Sequence, residues 1–126
     1  MRTLPMLLFA YAFASTAAAQ DHEQDNCTAT LDNVAGKLSE VVVFCGTPTS
    51  VRAPKGVNGD PVFINFGGAF PQPAFVVVVW GSVAGEERKH LVKRYTDKPL
   101  RITGLVKERK GEPEIELKAL ADIQVE

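Results

Sequence analysis

Asp60-Pro61-Val62-Phe63-Ile64-Asn65-Phe66-Gly67-Gly68-Ala69-Phe70-Pro71-Gln72-Pro73-Ala74-Phe75-Val76-Val77-Val78-Val79-Trp80 is the stretch around which the whole chain is read. Two runs rich in β-branched and aromatic residues, Val62 to Phe66 and Phe75 to Trp80, flank a connector of Gly and Pro, which is the signature of two paired strands with a loop between them. The second run is apolar at every position, so it is expected to be buried on both faces or to lie in a closed barrel without an open edge. In the first run Val62, Ile64 and Phe66 share one face, and Phe63 and Asn65 the other. An unpartnered buried amide costs about 1–3 kcal/mol, so Asn65 is expected to face outward, carrying Phe63 with it as an exposed aromatic. Periodicity leaves open whether Phe75, Val77 and Val79 or Val76, Val78 and Trp80 face inward.

N-terminal to this pair, Glu40 to Val51 reads as a first long strand, with Val41 to Phe44 as strong strand formers and Gly46 and Pro48 marking a bend. Arg52 to Asp60 is a polar loop that carries Arg52 and Lys55. Leu31, Val34, Ala35 and Leu38 fall at helical spacing, which predicts a short helix or turn over residues 30–38. C-terminal to the pair, Gly81 to Tyr95 places Ala84, Leu91, Val92 and Tyr95 on a helical stripe, with Ser82 as a cap and Lys93 and Arg94 at the negative end of the dipole. Pro99 to Val106 then alternates cleanly, with Leu100, Ile102, Gly104 and Val106 inward and a basic outer face. Lys110-Gly111-Glu112 makes a turn, after which Ile115 and Leu117 point inward and Glu114 and Glu116 outward. Ile123 and Val125 end the last strand.

At 126 residues the chain has room for one domain. Residues 1–19 read as a secretory signal peptide, from Arg2, the apolar run Leu4 to Ala14 and the small residues Ala17-Ala18-Ala19. The uncharged run is shorter than the ~20 residues that span a bilayer, and no other segment is long enough. The expected product is therefore exported, to the periplasm or the extracellular space, with a polar tail at residues 20–29 and a domain at residues 30–126. Removal of Arg2 with the leader leaves thirteen basic side chains against fifteen acidic ones, a balance without global attraction for phosphate. Locally the picture differs: between Arg88 and Lys110 nine basic residues face only Asp97 and Glu108. The two cysteines, Cys27 and Cys45, allow one pairing in an oxidising compartment, and a disulfide is expected. Two thiols with His22 and His90 do not make a metal set, so neither metal nor cofactor is expected.

The element order is three strands, a helix, then two strands, with a long glycine-bearing first strand. That is the layout of the OB-fold, a five-stranded Greek-key barrel that binds oligonucleotides or oligosaccharides on its second and third strands. The residues carry a closer resemblance. Val34-Ala35-Gly36-Lys37, Phe44-Cys45-Gly46, Val62 to Gly68, Phe70-Pro71, Phe75 to Trp80, Arg101-Ile102-Thr103-Gly104 and Gly111 to Ile115 resemble the pattern of exported bacterial OB-fold domains, some of which sit beside nuclease modules. The resemblance spans Asn33 to Val125 and implies a domain that binds nucleic acid or another ligand.

No phosphate loop, nucleophile elbow or histidine pair at metal spacing is present, and Glu40, Asp60, Asp97 and Glu108 do not cluster in sequence, so an enzyme is not expected. The leading expectation is binding of single-stranded nucleic acid or a nucleotide-like anion. Arg101, Lys107, Arg109 and Lys110, with Arg52 and Lys55 on the first loop, would meet phosphates. Phe63 or Phe70 would stack on bases, beside Asn65. The competing expectation is a module that meets an envelope protein through its polarised surface. Sugar binding would rest on Phe63, Asn65 and Trp80.

Overall fold

The computed structural model describes residues 26–68 and 73–126, with isolated positions 3, 10 and 12. The expected signal peptide otherwise lies outside the described residues, as does Phe70. The chain is mainly β. Its strands are β1 (Val41–Gly46), β2 (Ser50–Arg52), β3 (Val62–Phe66), β4 (Phe75–Val79), β5 (Leu100–Arg109), β6 (Glu112–Glu116) and β7 (Ile123–Val125). Between β4 and β5 lie α1 (Gly81–Ala84), a 3₁₀ turn (Gly85–Glu87) and α2 (Arg88–Tyr95).

Neighbouring strands pair in the order β1-β5-β6-β4-β3-β2, with β7 pairing to β5 off this path. All pairs are antiparallel except β4 with β6. The sheet is not closed into the five-stranded barrel expected from the sequence, because β1 and β2, at the two ends of the path, do not pair with each other. The predicted single strand over residues 40–51 is instead two pieces separated by Thr47-Pro48-Thr49. Pro48 has no N–H for a ladder, and Thr49 turns its own N–H to the Asn65 carbonyl at 2.7 Å, so pairing passes from β5 to β3 at this break.

The predicted helix over residues 30–38 is a turn followed by a single 3₁₀ turn at Val34–Gly36. Val34 is fully buried, while Leu31 and Leu38 remain exposed, so one residue rather than a helical stripe reaches the core. The predicted helix over residues 81–95 is likewise broken, at Gly85, whose φ of 55° has no place in a right-handed helix. Beyond the break α2 keeps its stripe, burying Leu91 and Tyr95 one turn apart and packing against β2 and β3.

Inward residues alternate as a half-buried sheet requires: Val42 and Phe44, then Val62, Ile64 and Phe66, Phe75, Val77 and Val79, and Leu100, Ile102 and Val106, all buried. Phe44, Phe66 and Phe75 meet at the centre with ring centroids 4.5–5.7 Å apart. Such ring pairs add about 0.5–1.5 kcal/mol each beyond the area they bury. Packing Phe75, Val77 and Val79 into this core settles the facing of β4 and turns Val76, Val78 and Trp80 outward.

Cys27 and Cys45 form the expected disulfide, with Cα atoms 5.8 Å apart. It fastens residues 28–29 along the outer edge of β1. There the Thr28 and Ala29 N–H groups donate to the Val43 carbonyl at 2.9 and 3.1 Å, and the Cys45 N–H donates to the Ala29 carbonyl at 3.0 Å. An edge strand that would offer unpaired backbone groups is thereby covered. Among the described residues no helix is long and apolar enough to cross a membrane.

Candidate functional site

The outer face of β3 and β4 is where the structure places Phe63, half-buried rather than exposed as expected, and the half-buried Trp80 beside charge. By register, Phe63 lies opposite Arg52 on β2 and Val78 on β4, and Asn65 lies opposite Ser50 and Val76. On β6, Glu114 lies beside Val76 and Glu116 beside Val78, while Lys107 of β5 faces Glu114. A groove of about 840 Å³ opens on this face. Phe63 and Val78 form its floor, Trp80 stands at the end of β4, Val57-Asn58-Gly59 and Pro61 form one wall, and Arg109 and Glu114 close the far side. A second compartment of about 590 Å³ shares Arg109 and Glu114 and continues past Val76 to Pro73, Ala74, Lys110 and Glu112.

Two contacts position the wall. Gly59, at φ 85°, lies so close to the indole that a β-carbon would come within 2.9 Å of Trp80 Cε3. Arg88, at the start of α2, donates from Nε to the Asp60 carbonyl at 2.8 Å. It also donates from one guanidinium nitrogen to the carbonyls of Pro54 and Pro61, at 3.0 and 3.3 Å. The loop after β2 is thus held by a planar fork that only arginine supplies. The far wall is set by the β5–β6 hairpin, whose two loop residues, Lys110 and Gly111, have φ of 52° and 84° as a tight twisted turn requires.

Glu114 is the unusual group of the groove. It is only 8% exposed although its side chain is on the outer face. Its charged contact is Arg109, with 3.9 Å between Nη1 and Oε1, beyond hydrogen-bond reach. Burial pushes its carboxyl above the ordinary value; Arg109 pulls it down, Glu116 pushes it further up and Lys107 pulls it down.

The sequence-predicted residues fall into separate places. Phe63 and Arg109 line the groove, Lys110 lines the adjoining compartment, and Lys55 is exposed on the loop that forms the wall. Arg52, half-buried on β2, stands opposite Phe63. Lys107 is on the same face, with Nζ 3.5 Å from Glu116 Oε2.

Two expectations are corrected. Asn65 is not an exposed partner of Phe63: it is 3% exposed, and its Nδ2 donates to Ser50 Oγ at 3.0 Å. That cross-strand hydroxyl satisfies the amide whose burial was expected to be too costly. Arg101 is not with the other cations, because β5 pairs with β1 and β7 at that position rather than with β6. Its Nε lies 3.3 Å from Glu126 Oε1, and it lines a separate cavity of about 270 Å³ with Thr103, Asp122 and Gln124. Arg94 of α2 pairs with Glu87 of the preceding 3₁₀ turn, and Arg88 is engaged by the loop carbonyls, so the basic run from Arg88 to Lys110 is divided among several faces.

Trp80 entered only the sugar-binding expectation, because the facing of residues 75–80 was ambiguous in sequence. Glu114 was not among the predicted site residues, since it reads in sequence as one of several alternating surface acids. Among the described residues no group of three His, Cys, Asp or Glu side chains is placed to hold a metal ion.

No protein-family model and no curated protein matches the chain. Among solved structures it is similar to one described as an aspartyl-tRNA synthetase from Leishmania major Friedlin, with a TM-score of 0.52 and 12% sequence identity. The match covers 87% of this chain and 23% of that one. At this identity the likeness concerns the fold alone.

Proposed function

We propose that this chain is an exported, non-catalytic OB-like module that binds single-stranded nucleic acid in the groove over β3 and β4. Three features of the topology support the fold reading. The two ends of the strand path are consecutive pieces of chain, as when one bent strand serves both edges; β4 and β6 run parallel; and the helical segment lies between β4 and β5. The likeness to a structure described as a tRNA synthetase, a protein that handles RNA by its name, points the same way. The leader sequence and the single disulfide support export.

The observation that carries the binding reading is the convergence of Phe63, Trp80 and Arg109 on one open groove. Aromatic faces accept any base, at about 1–3 kcal/mol per stacked base, and a cation beside them meets the phosphate that follows. With Arg109, Lys110 and Lys55 each engaging one phosphate, the logarithm of affinity should fall with that of salt at a slope of about −2. Anisotropy of a labelled oligothymidylate tests this. Salt-sensitive binding that Arg109→Glu abolishes supports the reading, and absence of binding at low ionic strength removes it.

The division of the cations among carboxylate partners favours a second reading, a module that docks an envelope protein. Lys107 with Glu116 and Arg101 with Glu126 are already paired. A stable protein partner recovered from an envelope extract, without nucleic acid in the eluate, would select it.

A further inference from the structure

The β5–β6 hairpin that closes the groove carries its own counter-ions. Lys107 and Arg109, with Lys110 at the turn, stand beside Glu112, Glu114 and Glu116. Lys107 Nζ lies 3.5 Å from Glu116 Oε2, and Arg109 Nη1 lies 3.9 Å from Glu114 Oε1. A phosphate that enters the groove therefore meets cations already matched in charge.

The three carboxylates are not equivalent. Glu116 is turned to Lys107, and Glu112 is exposed, where water and salt screen its charge. The Glu114 side chain is only 11% exposed, while that of Arg109 beside it is 54% exposed and open to a ligand. Both residues line both compartments, so a strand lying along them passes this pair. At 3.9 Å the two attract by charge without a hydrogen bond, so exchange of this carboxylate for a phosphate breaks no donor–acceptor contact between them.

Every charged group that faces Glu114 belongs to the hairpin. From β5 come Lys107 and Arg109, from the turn Lys110, and from its own strand Glu112 and Glu116. Val76 flanks it on β4, and the groove wall opposite consists of Val57, Asn58, Gly59 and Pro61, none of which titrates. The 3₁₀ turn Val34–Gly36, which packs against β6, adds no charge.

We propose that Glu114 is the counter-ion of Arg109 and competes with the incoming phosphate for it, so that this carboxylate limits the affinity of the groove and its protonation strengthens binding. The inference rests on the groove binding single strands, and its test separates the two. An ionised carboxylate repels the phosphate and offsets part of the Arg109 charge; a neutral one does neither. Phosphate in turn favours the neutral form, so proton and ligand assist each other and affinity rises as pH falls. Burial, which already holds this carboxyl above its ordinary value, brings the effect nearer to neutral pH.

Labelled oligothymidylate is titrated at one low ionic strength from about pH 7 to about pH 5, above the ordinary carboxylate range. Thymine and the phosphodiester keep their charge throughout. Glu114→Gln should bind about fivefold more tightly than wild type at the upper end, and the gap should close as pH falls because wild type alone tightens. Any contribution of His90 on α2 is common to both proteins and cancels in their ratio. In an Arg109→Ala background the same Glu114→Gln change should gain less than about twofold. A variant that binds no tighter than wild type, a gap that does not change with pH, or a gain that survives intact in Arg109→Ala overturns the counter-ion role while leaving single-strand binding in place. Failure of wild type and Glu114→Gln alike to bind at any pH overturns both.

Discussion

The indole of Trp80 lies against Gly59 at a distance that leaves no room for a β-carbon, since one built there would meet Cε3 at 2.9 Å. The contact ties the loop after β2 to the end of β4 and sets the width of the groove. Trp80 is also the sole tryptophan of the chain, so its emission reports on this site without a label.

Gly59→Ala should therefore disturb the groove and the fold together. The position has φ 85°, which alanine adopts only with strain, and the added methyl must displace the indole. A loss of about 1–3 kcal/mol in urea denaturation is expected, with a red shift of Trp80 emission in the native state. Unchanged emission would show that the loop does not press on the indole.

Arg88→Ala removes the donor from three loop carbonyls, those of Pro54, Asp60 and Pro61. A loss of about 1.5–3 kcal/mol is expected, as for hydrogen bonds to a charged group. Arg88→Lys should recover little of it, because an ammonium cannot reproduce the fork. Full recovery by lysine would mean that charge, not geometry, holds the loop.

Glu114 makes stability depend on pH in a defined direction. Burial raises its carboxyl above the ordinary value in the folded chain, with Arg109, Glu116 and Lys107 as the charged groups around it. The folded state thus favours the protonated form more than the unfolded chain does. The contribution is fully present below the unfolded carboxylate pKa and is lost as pH rises through the raised folded value. Glu114→Gln cannot ionise, so its stability relative to wild type should increase across that window and then level off. The exposed Arg109 loses little, because surface pairs contribute about 0–1 kcal/mol. A relative stability that is flat or falls with pH would contradict the burial of this group.

Much of the fold was legible because local pattern and tertiary packing agree. The alternation of Leu100, Ile102 and Val106 and the valine run of β4 needed no distant information, and Lys110-Gly111 announces its own turn. What escaped depends on partners far apart in sequence. Asn65 is buried because Ser50, fifteen residues away, faces it across the strands. Arg88 looks like one more basic residue until the loop carbonyls of Pro54 and Pro61 are placed beside it. The break of the first strand at Pro48 follows from where Asn65 offers its carbonyl. The facing of Trp80 was undecidable from an all-apolar run, and with it went the aromatic end of the groove.

Reduction of the Cys27–Cys45 disulfide, which closes a loop of 18 residues, should cost about 3 kcal/mol in the chain-entropy model. The effect should be local before it is global. The amides of Thr28 and Ala29, hydrogen-bonded to Val43, should exchange faster under native conditions, while those of β3 and β4 stay protected. Uniform acceleration across the sheet would instead assign the bridge to the core.

The central claim is that single strands lie on the outer face of β3 and β4. Titration of unlabelled oligothymidylate at low ionic strength, read by Trp80 fluorescence, tests it most directly. A base stacked in the groove should quench the emission saturably, and added salt should reverse the quench. Emission that stays constant while an independent method registers bound oligonucleotide would place the strand elsewhere on the molecule and contradict the account.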